Sequence, residues 1–408
     1  MTGNDENAGT GGGRAAARWI AARARPLDAP TAAAPLTDLE PLRGLAGGAA
    51  VVGMGAVTRG AHEVSVLQHR TARFLVEELG FRTLALEEDW TTGLALDAYA
   101  RTGEGDPHDL LTRMWLPWRT QEMLDVLLWM RAFNERHPVD PVRFLGLDLT
   151  ATGPIAYDAV TDHVRDTAPE RLPELDAHYA PLRPAGAIDD HVGRYRALAD
   201  KDPYIEHARR AYDLVAALPP APGRAAARKH AQAIVDFHLF HSRPVMEALP
   251  YVERRFAENL LQWHEETGSR IAYWGGAAHA APAGGGRPNA GGHLRRALGG
   301  GYLSIGFTFG RGAVHRGVPV PPPPADFADA VLDEAAPAAH YLADLRAPED
   351  PAAAAWLTAP ARIRVIGPGY RPEDDPDHHV SGASPGTRYD VAVHSREVTP
   401  SRPAPASA

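Results

Sequence analysis

Cysteine is absent from the 408 residues of this chain, and lysine is almost absent. Without cysteine, the protein has no disulfide bond, no thiolate metal site and no cysteine nucleophile. The two lysines are Lys201 and Lys229, and neither lies in a motif typical of a Schiff-base lysine. Thiol chemistry is therefore excluded, and amine chemistry is not expected.

The chain also lacks long hydrophobic runs and an excess of positive charge. No apolar stretch reaches the ~20 residues of a membrane-spanning helix, and the polar, glycine-rich first residues contain no apolar signal-peptide core. The formal net charge of −9 gives no electrostatic support for binding nucleic acid. We therefore expect a cytoplasmic protein whose partners include neither a membrane nor a nucleic acid.

What the chain does contain is strands alternating with helices, a pattern typical of a mostly parallel central sheet flanked by helices. Residues 48–150 favour strand, helix, strand, helix and strand in turn. Residues 151–268 favour helices joined by proline-rich segments, with no convincing strand. We therefore predict an α/β fold with an all-helical lobe inserted in the middle of the chain.

This pattern divides the chain into five predicted parts. They are a disordered or helical lead-in (1–37), the first part of the α/β core (38–150), the helical lobe (151–268), the second part of the core (269–395) and a loose tail (396–408).

The most informative segment is 53–60, where a short apolar strand meets an amphipathic helix that we predict to begin at His62. A glycine-bearing turn of this kind is where α/β proteins present side chains and backbone N–H groups to a ligand. The next predicted strand is followed by the acids 87–89, of which Glu88 and Asp89 suggest a solvated loop. Two strand ends with polar groups, one helix apart, predict the floor of an active site.

These segments resemble the erythromycin esterase family, which has a Gly-Glu-x-x-His turn, a helix, a Gly-Phe pair, a strand and a Glu in this order. The resemblance extends over roughly residues 39–400 and implies the family's fold. It also implies the family's reaction, hydrolysis of a macrolide lactone by an activated water. Further segments resemble family motifs in the same order, namely 118–122, 129–134, 144–148, 256–259, 274–279 and 389–394.

Carried over by position, the resemblance implies that Glu87, Asp148 and His279 are retained site residues. The groups that prepare the water at the first turn of the family are replaced, because Ala56 stands in place of its Glu and Arg59 in place of its catalytic His. The site would therefore keep some of the family's polar groups and lose others.

Two further family positions also differ. Gly276 stands where the family has the first His after its tryptophan, and Val252 and Glu253 align with a helical Arg-Asp pair.

Three residues are the candidates for catalysis. Arg59 cannot accept a proton, but it can bind an anion or stabilise an oxyanion; alternatively it is a solvated or salt-bridged loop residue. His279 is the best remaining acid or base, or else a structural histidine. Glu87 could pair with Arg59, orient His279, or form a salt bridge at the sheet edge.

Four residues are candidates for substrate binding: Asp148, His62, Glu63 and Trp274. Asp148 is either a helix cap or a second carboxylate in the cleft. Glu63 suits the N-terminus of its helix electrostatically, which is a sufficient structural reason for it. His62 could replace the missing base by acting from the helix.

Neither a metal nor a cofactor is expected. The sequence has no HExxH motif or close His-x-His spacing and no Gly-x-Ser-x-Gly motif. The glycine-rich loop 283–292 lacks the Gly-Lys-Ser/Thr ending of a phosphate-binding loop.

Three functions fit these residues. The first is an enzyme with a rebuilt site that acts on a small-molecule or peptide natural product, by hydrolysis or by a step without water such as elimination, cyclisation or acyl transfer. The second is a binding protein that keeps the cleft without turnover. The third is an ordinary hydrolase in which His62 supplies the base. The retained Glu87 and His279 favour an enzyme.

Overall fold

The computed structural model describes residues 5–28, 31–282, 287–367 and 369–404, with side chains from residue 12 onward. Its α-helices are α1 (Asp5–Arg23), α2 (Leu42–Ala46), α3 (His62–Glu77), α4 (Trp90–Thr102), α5 (Pro107–Arg113), α6 (Gln121–Arg136), α7 (Pro154–Thr167), α8 (Leu172–Tyr179), α9 (Ile188–Ala197), α10 (Asp202–Ala217), α11 (Arg224–His241), α12 (Val245–Thr267), α13 (Ala277–Ala280), α14 (Ala290–Leu298), α15 (Ala328–Ala335), α16 (Pro351–Thr358) and α17 (Pro385–Arg388). Its strands are β1 (Arg25–Pro26), β2 (Val51–Ala56), β3 (Thr83–Asp89), β4 (Arg143–Asp148), β5 (Ile271–Gly276), β6 (Tyr302–Val314), β7 (Val318–Val320), β8 (His340–Asp344), β9 (Ala361–Arg364), β10 (His379–Ala383) and β11 (Val391–Val398).

The central sheet has the strand order β1-β8-β11-β6-β2-β5-β3-β4, and β7 pairs with β6. The pairs β11–β6, β6–β2, β2–β5 and β5–β3 are parallel, whereas β1–β8, β8–β11 and β6–β7 are antiparallel. The sheet is therefore mostly parallel and flanked by helices, which confirms the predicted fold class.

The chain forms two compact units. The first comprises Met1–Leu86, Leu96–Phe144 and Glu253–Ala408, and the second comprises Glu87–Ala95 and Leu145–Val252. The division falls inside α12, between Val252 and Glu253, whereas the predicted helical lobe extends to residue 268. From Glu253 onward this helix bonds to the first unit, for example through the Trp263 indole N–H and the Thr83 hydroxyl, 2.8 Å apart.

The second unit has its own apolar core, which is built from amphipathic helices. Tyr157, Tyr179, Val215 and Ile234 are fully buried there, and the two tyrosine rings meet edge to face with centroids 5.0 Å apart. Within this stretch the sequence pattern predicts helices at 188–198, 205–218 and 225–240, and these correspond closely to α9, α10 and α11. This part of the chain is helical, as its sequence pattern indicates.

Helix α1 spans Asp5–Arg23, within the lead-in that was predicted to be disordered or helical, whereas several other elements differ from their predictions. The apolar pattern of residues 362–366 predicts a strand of the central sheet, but β9 lies outside that sheet and pairs with β10 instead. The proline-rich 318–324 segment contains β7, and β8 was not predicted at all.

The segment predicted as a loose tail is bonded to other elements as far as residue 404. Strand β11 continues to Val398, and the Thr399 amide donates to a Glu63 carboxylate oxygen at 2.7 Å. The Arg402 amide in turn donates to the Glu122 carboxylate at 3.2 Å. Among the described residues, no helix has both the length and the apolar character of a membrane span.

Candidate active site

The turn after β2 is fixed by a hydrogen bond of its own. The Gly60 amide donates to the Thr58 hydroxyl at 3.1 Å, and Thr58 is 2% exposed. Such a threonine turn sets the direction of the residue between the two partners. The side chain that it directs is Arg59.

The Arg59 guanidinium lies against two indole rings, which meet each other edge to face with centroids 6.4 Å apart. Its central carbon is 5.1 Å from the ring centre of Trp115 and 5.0 Å from that of Trp118. Trp118 is buried, whereas Trp115 is 43% exposed. Contacts of this kind hold a cation electrostatically against the faces of the rings. Arg59 is therefore not a fully solvated loop residue.

Gly276, at the end of β5, leaves the room that this guanidinium occupies. A Cβ atom added at Gly276 would lie 3.0 Å from the Arg59 Nη2 atom, which is closer than a side chain normally tolerates. The sequence aligns both positions with histidines of the resembled family. A side chain at position 276 would therefore crowd the Arg59 guanidinium, which would have to move to make room for it.

His279, three residues further on, is held by a carboxylate. Its Nδ1 atom lies 2.6 Å from Glu253 Oε1. The second oxygen of Glu253 accepts the Ala290 amide, at the start of α14, at 2.8 Å. Glu253 is 8% exposed. A carboxylate at Nδ1 fixes the ring orientation and assigns proton exchange to the other ring nitrogen.

Sequence reasoning missed Glu253 as a candidate site residue, because this position was considered only as part of a lost Arg-Asp pair. The signal available in the sequence was that Glu253 aligns with the Asp of this family pair and so keeps a carboxylate there. Asn289 completes this arrangement, since its side-chain oxygen caps α14 through the Gly292 amide at 3.0 Å and its side-chain nitrogen donates to Ala278 O at 2.8 Å. The carboxylate also faces the positive end of α14, which stabilises its charge.

The two predicted groups on α3 bond to other parts of the first unit. His62 Nδ1 lies 2.6 Å from Glu122 Oε1. Burial alone would raise the pKa of Glu122, but hydrogen bonds from His62 and Arg402 hold that pKa below its usual range. Glu63 accepts the Thr399 amide and hydroxyl at 2.7 and 2.8 Å. Substrate binding by His62 and Glu63 remains a prediction beside these structural roles.

Trp274 lies inside β5, where it pairs with Met54 of β2 and Leu86 of β3. It is 2% exposed. Such burial indicates core packing, and substrate binding by Trp274 remains a prediction.

In the second unit, the acids at the end of β3 are buried. Glu87, Glu88 and Asp89 are 4%, 3% and 5% exposed, so the solvated loop expected for the last two is wrong. Asp89 Oδ1 caps α4 by accepting the amides of Thr91 and Thr92, both at 2.9 Å. The predicted pairing of Glu87 with Arg59 remains a prediction, whereas the carboxylate bonded to His279 Nδ1 is Glu253.

Asp148 ends β4 in the same unit. Its carboxylate accepts the Leu149 amide at 2.6 Å and the Thr150 hydroxyl at 3.1 Å. Helix α7 is capped by Gly153 instead, so the expected capping role of Asp148 is wrong. Burial, together with the nearby Asp148 charge, raises the pKa of Asp89 to about 6. Asp89 is thus a carboxyl that changes charge near neutral pH.

Metal binding finds no positive support in the described part of the chain, where no three histidine, aspartate or glutamate side chains are grouped to hold an ion. The glycine-rich loop predicted at 283–292 lies partly outside the described residues, since these omit 283–286.

The fold and these strand ends define a member of a known family. The family described as erythromycin esterase matches residues 76–398, so the chain belongs to the erythromycin esterase family. The matched range begins after the turn that carries Arg59.

Two curated relatives match over shorter stretches. An erythromycin esterase type II of Escherichia coli is 29% identical over 119 residues, which is 28% of this chain and 27% of that protein. YbfO of Bacillus subtilis (strain 168), which carries the name of a hydrolase, is 28% identical over 154 residues, 38% of this chain and 33% of that protein. Each match therefore spans a third or less of the relative's length.

Solved structures are similar over nearly the whole chain. A Bacillus cereus protein has a TM-score of 0.84 at 25% identity and covers 96% of this chain and 99% of that chain. A succinoglycan biosynthesis protein has a TM-score of 0.81 at 25% identity, with 95% and 98% covered. A mutant erythromycin esterase in its open conformation has a TM-score of 0.69 at 14% identity, with 91% and 96% covered, and this likeness concerns the fold alone.

Proposed function

We propose that this chain is an enzyme of the erythromycin esterase type with a rebuilt active site. Its reaction is hydrolysis of an ester or lactone in a small-molecule or peptide natural product. The observation that carries the proposal is the His279–Glu253 pair, with Nδ1 and Oε1 2.6 Å apart. Family membership supports a hydrolase-like activity, and the relatives' names point the same way.

In this proposal the imidazole and the guanidinium have different roles. His279 moves protons, because an oriented imidazole takes up and releases them near neutral pH. Arg59 keeps its charge and stabilises the negative oxygen that develops on the acyl group. A water oxygen bonds to the acyl carbon, the C–O bond to the alcohol breaks, and the proton lost by water reaches the departing alkoxide.

The contacts of Arg59 with Trp115 and Trp118 support a role of this arginine in binding an anion. The two indole rings hold the guanidinium carbon 5.1 and 5.0 Å from their centres, so the guanidinium is positioned to meet an anion with its N–H edge. An edge of this kind binds two oxygens in one plane, as in a carboxylate or an acyl oxygen pair. A natural product that carries a carboxylate beside the scissile ester would use this geometry best.

The test is a panel of substrates with matched variants. Purified protein is incubated with p-nitrophenyl acetate, simple lactones and erythromycin, and products are identified by mass spectrometry. We expect His279→Ala to lower kcat by roughly 10²–10⁴-fold. His264→Ala is the control, because His264 lies on the same helix as Glu253 but bonds to the Ser269 carbonyl at 2.8 Å. Equal rates for wild type and His279→Ala would refute the role of His279.

The second candidate is a binding protein without turnover. It is favoured by a specific observation, since the cation Arg59 occupies the turn where the family has a proton acceptor. Calorimetric binding of an ester by a wild-type protein that yields no hydrolysed, eliminated or cyclised product would establish it. Product that has not gained water would instead indicate elimination, cyclisation or acyl transfer.

A further inference from the structure

The tip of the β6–β7 hairpin presents a histidine to the turn after β2. The hairpin pairs Gly312–Val314 with Val318–Val320, and His315 follows directly after β6. Its amide donates to the Gly60 carbonyl at 3.0 Å. The hairpin is thereby attached to the residue next to Arg59.

The His315 ring occupies the space where Gly60 would carry a side chain. A Cβ atom added at Gly60 would lie 2.5 Å from His315 Cδ2 and 2.7 Å from Nε2. Real Cβ atoms do not approach other atoms so closely, so only glycine fits at position 60 while the ring stays in place. The imidazole therefore packs directly on the backbone of the Arg59 turn.

The backbone that carries this ring is unusual. His315 and Arg316 have φ angles of +22° and +54°, a region that side chains other than glycine rarely adopt. Conformations of this kind are maintained by the surrounding structure and cluster at functional sites. Here the surrounding structure includes the bond to Gly60, and the strain is concentrated at the residue whose ring faces the turn.

The surroundings of His315 favour a neutral imidazole. The ring is half-buried, and burial together with the charges of Arg316 and Arg59 lowers its pKa below the usual value. His62 and His279 each bond to a carboxylate, whereas within the described residues His315 has no such partner. A neutral ring near a fixed cation is able to accept a proton.

We infer that His315 is the proton acceptor of this active site. The inference rests on the proposed ester hydrolysis and supplies the base that Arg59 cannot be. His315 takes a proton from the attacking water as the oxygen bonds to the acyl carbon, and Arg59 stabilises the resulting oxyanion. When the C–O bond breaks, the alkoxide takes a proton from His279, and the proton on His315 restores the balance by passing to solvent while His279 regains one.

Two independent substitutions test this role. His315→Gln removes the base, and Gly60→Ala displaces it without changing any ionisable group. We expect each to lower kcat/KM by roughly 10²–10⁴-fold at pH 7. Because both remove the same function, the double variant should be no slower than the slower single variant. The acidic limb of the kcat/KM profile should disappear in all three variants.

The control for the glycine substitution is Gly48→Ala, since a Cβ atom at Gly48 meets nothing within 4 Å. It should retain wild-type rates. Circular dichroism and thermal unfolding establish that each variant is folded, and free imidazole should restore part of the activity of His315→Ala. If His315→Gln fails to fold, the activity of Gly60→Ala and the rescue of His315→Ala by imidazole still test whether His315 is the base.

The outcomes separate the two proposals. Wild-type hydrolysis that is lost with His279→Ala but retained with His315→Gln overturns the inference and leaves the proposed function standing. Wild-type protein without ester hydrolysis overturns both. Additive losses in His315→Gln and Gly60→Ala indicate a structural hairpin contact and overturn the role as a base.

Discussion

Strands β2 and β5 are neighbours in the sheet, with Ala56 paired to Gly276 at their carboxyl ends, yet different chemistry follows each. After β5, His279 and Glu253 form an imidazole–carboxylate pair that is suited to proton transfer. After β2, Arg59 retains its charge at any physiological pH and is flanked by aromatic rings. In the proposed reaction, His279 after β5 gives a proton to the leaving alcohol, whereas Arg59 after β2 stabilises the developing negative charge.

The comparison also shows that the two ends are not independent. The small residue at the end of β5 makes room for the large cation after β2. A side chain larger than glycine at position 276 would therefore disturb the position of Arg59.

The largest expected effect comes from removing the cation. Arg59→Ala should lower kcat by roughly 10²–10³-fold, as the loss of an oxyanion-stabilising group does. Arg59→Lys should recover only part of this loss, because lysine lacks the planar N–H edge. Steady-state kinetics on the best ester measure both variants.

The control is Arg113→Ala, because Arg113 is an exposed arginine in the same unit. If Arg59→Ala raised KM alone, Arg59 would bind the substrate without stabilising the transition state.

The next effect concerns Asp89, at the carboxyl end of β3 in the second unit. The pKa of Asp89 is about 6 in the folded protein against a reference of 3.8, so the folded state holds the proton between these values. Stability should therefore fall as pH rises from about 4 to 6, by at most about 1.4 kcal/mol per pH unit. Asp89→Asn, which resembles the protonated form, should lose this slope.

Urea unfolding from pH 4 to pH 7 measures this slope for wild type and variant. Parallel curves would mean that Asp89 is ionised throughout. In that case the carboxyl end of β3 would carry a permanent charge, as the end of β2 does.

The coupling between Gly276 and Arg59 is tested by restoring a histidine. Gly276→His should destabilise the protein by about 1–3 kcal/mol, since the new side chain would overlap the guanidinium. The double variant with Arg59→His should recover most of this stability. Denaturant unfolding gives both values, and an equal loss in the single and double variants would show that the two positions are uncoupled.

The smallest effect concerns Trp115, the more exposed of the two tryptophans beside Arg59. Trp115→Ala should weaken binding of a carboxylate-bearing product by about 0.5–1 kcal/mol, because an exposed cation–π contact is worth about that much. Stability should change little, since Trp115 is 43% exposed. Calorimetric titration with acetate or a longer carboxylate compares variant and wild type. A tighter complex in the variant would mean that the indole blocks the anion site.

Local patterns predicted the elements around the site well. The helix that begins at His62 was predicted from residues close in sequence, and the N-cap of α6 is equally local, since the Thr120 hydroxyl accepts the Met123 amide at 3.2 Å. The parallel strands were visible as apolar runs between helices. The carry-over from the family indicated His279 and the anomalous Arg59.

What the sequence could not predict depends on contacts between distant residues. Glu253 reaches His279 across 26 positions, and His315 reaches the Arg59 turn through a hairpin tip that has no motif. The acids 87–89 were expected partly in solvent because they are charged, yet β3 continues through them. Asp148 was expected to cap a helix that in fact begins six residues later, at Pro154.

The position of β11 has a consequence for how this protein is made. This strand follows every other strand along the chain, yet it lies between β8 and β6 and pairs with both. During synthesis the sheet remains divided until residues 391–398 have left the ribosome, and two strand edges stay open meanwhile. Pairing of strands that are distant in sequence is slow, and unpaired strand edges are prone to aggregation. The yield of folded protein in a host cell should therefore depend strongly on growth temperature and on chaperones.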